Sequence, residues 1–266
     1  MLRLFRRDTS THSPAHDEVD VSHEGVSYRV SLKRVTGARR FTLRVRAATR
    51  DVVLTMPMRG SLTAARDFAQ RNAAWIAARL NRLPRIVPFR PGSIIPLRGD
   101  DHIITHQEAA RGGIWTEAAC EAPAPHMLHV ACGLDHVPRR VSDFLKREAK
   151  RELEAAVKLH TNRLGFASRK VTVRDTTSRW GSCSASGSLN FSWRLVMSPP
   201  FVLDYLAAHE VAHLVHMNHS DKFWALKHEL APQTERAEAW LRAHGAELHR
   251  YGVEPDAAPP DRVNSR

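Results

Sequence analysis

The segment that most limits what this chain can fold into runs from about Phe201 to Met217 and carries HEVAHLVHMNH, His209 to His219. Val202, Leu203, Tyr205, Leu206, Ala207, Val211 and Leu214 surround its histidines, so as a helix it is apolar nearly all round and belongs in an interior. Pro200 suits the beginning of that helix. Two imidazoles and a carboxylate there cost several kcal/mol of desolvation unless something coordinates or hydrogen-bonds them. The fold therefore has to wrap the helix and supply partners for His209, Glu210 and His213.

Spacing names a partner. His209 and His213 are one helical turn apart, so their rings project from one face and can converge on a single ion, while Glu210 sits about 100° around. H-E-x-x-H is the zincin signature, in which neutral histidines hold Zn²⁺ and the glutamate, off the metal, takes a proton from water. Catalytic zinc takes three protein ligands and keeps one open position. His216 shares the face but lies about 10.5 Å along the axis from His209 at about 1.5 Å per residue, too far for both to bind one ion. His219 follows Met217 and Asn218, and asparagine tolerates the left-handed turn that would swing the chain back to the metal. The expected ligands are His209, His213 and His219 around one Zn²⁺ per chain, with Glu210 as acid/base. That spacing equals the metzincin pattern, except that His216 stands where metzincins have glycine.

The rest of the composition sets the context. Forty Lys and Arg against 28 Asp and Glu leave a net charge of +12 and a pI near 10.4, so the surface attracts polyanions, nucleic acid included, at least non-specifically. Cys120, Cys132 and Cys183 make an odd set without a C-x-x-C pair, which argues for a reducing compartment and against a disulfide scaffold or zinc ribbon. No run reaches the about 20 apolar residues of a membrane span, and the N-terminus lacks an apolar signal core. The expectation is a soluble cytoplasmic protein without membrane association.

Along the chain the expected class is α+β. Residues 1–23 and 253–266 read as disordered tails. Residues 24–138 read as a β-rich region with a helix. VSYRVSLKR, FTLRVRA and DVVLTMP suggest an antiparallel meander, and Ser61 caps one long helix that ends before Pro84. GSIIPLRG, DHIITHQ and MLHVACG are further strands, and residues 109–125 read as loose turns. Residues 139–252 form the second domain, with the boundary near 138: a helix from Ser142 to Gly165, a β-hairpin turning at Ser184 to Gly187, the histidine helix and two further helices.

WGSCSASGSLNFSWRL followed by DYLAAHEVAHLVHMNHSDKFW resembles the YgjP-like metallopeptidase family, related to the SprT-like and WLM (Wss-type) zinc metalloproteases. The resemblance covers about residues 142–245, and more loosely the region ending in NAAWI. It implies a zincin-like domain and a zinc-dependent peptidase acting on a peptide or protein, with His209, His213 and His219 as ligands and Glu210 as acid/base. The SprT-like and WLM relatives are associated with DNA–protein crosslinks, which together with the basic charge raises nucleic acid as a partner. In zincin folds an extended substrate lies along an edge strand, so Trp180, Gly181 and Ser182 are candidate substrate-binding residues. Gly181 would admit another backbone, and Tyr205 could donate to an oxyanion. Two alternatives use the same residues: hydrolysis of a nucleotide phosphoanhydride, and a nucleic-acid-binding module with structural zinc.

Overall fold

The computed structural model describes residues 17–46, 49–109, 112–121, 123–167 and 170–253. Its internal contacts divide into two units that meet at Leu83 and Pro84.

The first unit holds β1 (Glu18–His23), β2 (Val26–Val35), β3 (Thr42–Val45), β4 (Val52–Pro57), α1 (Leu62–Arg71) and α2 (Ala73–Asn81). Alternation along the strands puts Val21, Val30, Leu32, Val52, Leu54 and Met56 on one sheet face, where they pack against Ala65, Ala69, Ala73 and Ile76. The sheet order is β1-β2-β4-β3, with β2 and β4 parallel, so the expected antiparallel meander is replaced by a mixed sheet. The strands with the strongest inward apolar rows take the centre, and short β3, with exposed Arg44, takes an edge. β1 occupies part of the segment expected to be a tail, with Arg29 within 3.6 and 3.8 Å of Glu18 and Asp20 across the pair. The remainder of the expected tails, 1–16 and 254–266, lies outside the described residues. The expected single helix breaks at Asn72, whose side-chain amide donates to the Phe68 carbonyl (2.8 Å).

The second unit begins with β5 (Ile94–Leu97), β6 (Asp100–Gln107), β7 (Ile114–Glu117) and β8 (His126–Ala131), in the order β5-β6-β8-β7. β7 lies inside the passage expected to be loose turns. Then follow α3 (Val137–Leu164), β9 (Lys170–Arg174), β10 (Gly181–Cys183), β11 (Ser188–Ser192), α4 (Pro200–Val215), α5 (Asp221–Leu230) and α6 (Thr234–His244). β10, β11 and β9 form a sheet in that order; β10 and β11 are the expected hairpin, and β9 pairs with β11 in parallel.

The sequence expectation put a boundary near residue 138, at what proves to be the start of α3. Ile95, Leu97, Ile104, Leu128 and Val130 of the β5–β8 sheet share one core with Val141, Leu145, Ala149 and Leu153 of α3 and Val202, Leu206 and Val211 of α4. Arg98, in the tight turn between β5 and β6, adds two 2.6 Å hydrogen bonds to Glu152 and Glu148 of α3. A single apolar core explains why the sheet groups with the helices. α3 itself starts five residues before the expected Ser142 cap, with Pro138 in its first turn, and stops at Gly165 in the left-handed conformation (φ 67°).

Between β11 and α4 the chain forms a 3-10 segment, Trp193–Met197, buried throughout. Arg194, which strand alternation would place outside, is 6% exposed. Its guanidinium donates to Asp175 Oδ1 (2.8 Å) and Oδ2 (3.2 Å) and to the carbonyls of Leu248 (2.9 Å) and Tyr251 (2.8 Å). This five-donor group ties the approach to α4 to the segment after α6, a role for which a planar fork is suited. Among the described residues no helix is long and apolar enough to cross a membrane.

Candidate metal centre

Helix α4 is as buried as its sequence requires: Val202, Leu203, Tyr205, Leu206, Ala207, Ala208, Glu210, Val211 and Ala212 are all enclosed. α3 fixes it laterally, because buried His160 donates its Nε2–H to Asp204 Oδ1 at 2.8 Å. The helix ends at Val215, two residues before the expected Met217. His216 is extended (φ −127°, ψ 99°), and positive φ among described non-glycine residues occurs at Glu24, Arg50 and Arg98. The return of the chain is therefore made by extended backbone at His216 and not by the left-handed turn expected at Asn218.

That return brings His219 to the other two histidines. One ligand-capable atom from each of His209, His213 and His219 lies within 4.8 Å of the others. The ring centroids are 5.1 Å apart for His209 and His213, 5.6 Å for His209 and His219, and 4.8 Å for His213 and His219. Tetrahedral zinc with bonds of about 2.0–2.1 Å needs nitrogens about 3.4 Å apart, a closure within reach of small side-chain rotations. Phe223, fully buried at the start of α5, touches all three rings, with centroids at 5.1, 4.4 and 4.8 Å. It forms an apolar floor against which the imidazoles pack.

The donor set fits a cation. The Nδ1–H of His213 donates to the His216 carbonyl at 3.0 Å, which leaves Nε2 with the lone pair, the tautomer a metal ligand needs. His216, excluded as a ligand by its position along the helix, thus serves through its backbone. Nδ1 of His209 is buried and has no hydrogen-bond partner among the described residues. Burial, followed by the charges of His213, Lys227 and His219, pushes His209 down to about 4; burial also lowers His213. Imidazoles kept neutral at neutral pH are ready to ligate.

Glu210 is 5% exposed, and burial pushes its carboxyl up to about 7, partly opposed by the nearby charge of Arg179. No hydrogen bond to Glu210 forms among the described residues. Its side chain lies against Gly181 on β10: a Cβ placed there would be 2.8 Å from Cγ and 2.9 Å from Cδ of Glu210. The space a side chain at residue 181 would take is filled by the carboxylate, on the face of the strand and not at its pairing edge.

The remaining candidate residues have other partners. Trp180 stacks on His249 (5.1 Å) and packs over Gly245. Ser182 sits half-buried in β10, paired with Asn190. Tyr205 is 7% exposed, and its hydroxyl donates to Glu238 Oε1 at 2.9 Å. That hydroxyl, committed to a partner on α6, is not positioned as an oxyanion donor. The residues that sequence reasoning passed over are Arg179, Lys227 and Glu238. Lys227 is four residues after Phe223 and three before Leu230, both buried, so its place on the inward stripe of α5 was the available signal.

No curated protein matches the chain. Among solved structures, the crystal structure of the metallopeptidase zymogen of Pyrococcus abyssi abylysin is similar over 38% of this chain and 99% of that one, at 23% identity and a TM-score of 0.32. The family model for the YgjP-like metallopeptidase domain matches residues 39–244, a span that takes in both α4 and the hairpin against which Glu210 packs. On that match, the chain belongs to the YgjP-like metallopeptidase family.

Proposed function

We propose that this protein is a zinc-dependent peptidase in which His209, His213 and His219 hold the metal and Glu210 is the acid/base. The observation that carries the reading is the convergence of those three imidazoles beside a buried glutamate, on a chain of a metallopeptidase family. The second unit, with its hairpin, histidine helix and two following helices, is read as zincin-like. Bound zinc supplies Lewis acidity toward water and toward the scissile carbonyl. Glu210 takes the proton from the attacking water and delivers it to the leaving amine. Its burial favours a carboxyl that can take up a proton as well as release one. Gly181 leaves room for the carboxylate, and Phe223 backs the three rings.

β10 lies at the edge of its sheet, and among the described residues nothing pairs with its outer side. An extended peptide laid against Gly181, Ser182 and Cys183 would pair backbone to backbone next to Glu210. Trp180 contributes by stacking against His249, which anchors the start of that strand. A cytoplasmic setting is proposed from the odd number of cysteines and their lack of a C-x-x-C pair. The exposed arginines Arg39, Arg40, Arg44 and Arg46 are left to solvent in this reading.

The test is parallel peptide and nucleoside triphosphate hydrolysis by the zinc-loaded protein and Glu210→Gln, with and without a chelator. Peptide cleavage that requires both metal and Glu210 supports the peptidase. Phosphate release without peptide cleavage, lost in the variant, would move the same site to phosphoanhydride chemistry. Metal binding with neither activity would leave a structural zinc module.

A further inference from the structure

We infer that Trp224, Lys227 and Glu238 are positioning residues that hold the His219 segment in place for metal binding; this rests on reading His209, His213 and His219 as the metal site. His219 is exposed and lies between α4 and α5, outside either helix. Its backbone carbonyl accepts a hydrogen bond from Trp224 Nε1–H at 3.0 Å, and the two rings are 5.4 Å apart. The indole that makes this bond is itself 40% exposed and needs a fixed point.

Lys227 supplies one. Its ammonium stands 4.4 Å from the centre of the Trp224 ring and 5.5 Å from that of Tyr205. It donates to Glu238 Oε1 at 3.0 Å, the oxygen that also accepts from the Tyr205 hydroxyl at 2.9 Å. Tyr205 lies one turn before His209 on α4. The contacts therefore close a circuit from His219 through Trp224, Lys227, Glu238 and Tyr205 back to the helix bearing His209 and His213.

A lysine is an expensive way to fill this position. Its side chain is 1% exposed, and removing an ammonium from water costs several kcal/mol that an apolar residue would not incur. Partial return comes from the carboxylate and two aromatic faces. A charge used where packing asks for none fixes a direction: Glu238 pulls the ammonium to a defined point over the indole, and the indole N–H then defines where the His219 carbonyl sits. Partners beyond the ligands themselves change metal affinity about 10- to 100-fold, so loss of this circuit should appear in zinc affinity while the fold persists.

The experiment is zinc titration of the full-length protein against a chromogenic chelator, with the visible spectrum of the cobalt-loaded protein as a second readout. Trp224→Phe keeps an aromatic ring near the ammonium and removes the N–H donor together with one ring of the indole; Lys227→Met removes the charge and leaves Glu238 short of a partner. Zinc binding weakened about 10-fold or more in Trp224→Phe, with an altered cobalt spectrum and an unchanged circular dichroism spectrum, is the expected result. Because Lys227→Met can also lose the fold, the decision rests on Trp224→Phe. If that variant binds zinc as the wild type does and gives the same cobalt spectrum, the inference fails and the metal site stands. If the wild type itself binds no zinc at one per chain, the site reading fails and takes the inference with it.

Discussion

Gly181 on β10 and Glu210 on α4 are in such close contact that the carboxylate occupies the volume a side chain at residue 181 would need, with Cγ and Cδ of Glu210 at 2.8 and 2.9 Å from an ideal Cβ. The glycine of the hairpin thus sets the position of the group proposed to move protons. Gly181→Ala should leave zinc content unchanged and lower kcat by about 100-fold, the scale of a misplacement near 1 Å. Steady-state kinetics with metal analysis checks this; an alanine variant with wild-type kcat would detach Gly181 from the chemistry.

Glu210→Gln retains the shape and loses the titrating oxygen. The expected outcome is full zinc occupancy with turnover reduced about 10²- to 10⁴-fold, the range for general acid–base catalysis. A glutamine variant that still turns over at the wild-type rate would remove Glu210 from the mechanism.

Because the proposed ligands come from α4 and from the segment leading into α5, zinc should stabilise the native state. At about 100 times its dissociation constant it adds about 2.7 kcal/mol, visible as a raised Tm that a chelator reverses. His219→Ala should abolish most of that rise and leave the Tm of the metal-free protein close to wild type, since His219 is exposed. An equal zinc-dependent rise in the variant would exclude His219 as a ligand.

Acid stability should follow Asp175. Burial alone would raise its carboxyl, but the hydrogen bonds and charge of Arg194 outweigh this and hold it below the ordinary 3.8. A carboxylate depressed in the folded state contributes stability that is full above about 3.8 and is lost as pH falls through the lower folded value. Asp175→Asn should therefore be less stable than wild type at neutral pH, with the difference shrinking below pH 3.8. Denaturant titrations at several pH values read this directly. Arg194→Met should cost more, about 1–3 kcal/mol for each buried carbonyl left unpaired at Leu248 and Tyr251.

The histidine helix and its third partner were legible because 3.6-residue spacing and the desolvation of buried imidazoles both speak through sequence alone. The hairpin was legible through its small-residue turn. β1 was not, since EVDVSH is one-third acidic and its inward valines Val19 and Val21 acquire meaning only against β2. The parallel pairing of β2 with β4 was hidden because strand order along the chain does not state which strands meet. IWTE, β7, is four residues inside a Gly- and Pro-rich passage and leaves no periodic trace. The burial of Arg194 and Lys227 was not legible, because it depends on Asp175 and Glu238, 19 and 11 residues away.

The central claim is that His219 returns to complete a three-histidine site that keeps one position free of protein. Anomalous diffraction at the zinc edge from zinc-loaded crystals tests it most directly. The account predicts one peak per chain, bonded at about 2.0–2.1 Å to a nitrogen of each of His209, His213 and His219, with Glu210 close by but not bonded. A peak that omits His219, or one closed off by a fourth protein ligand, would contradict it.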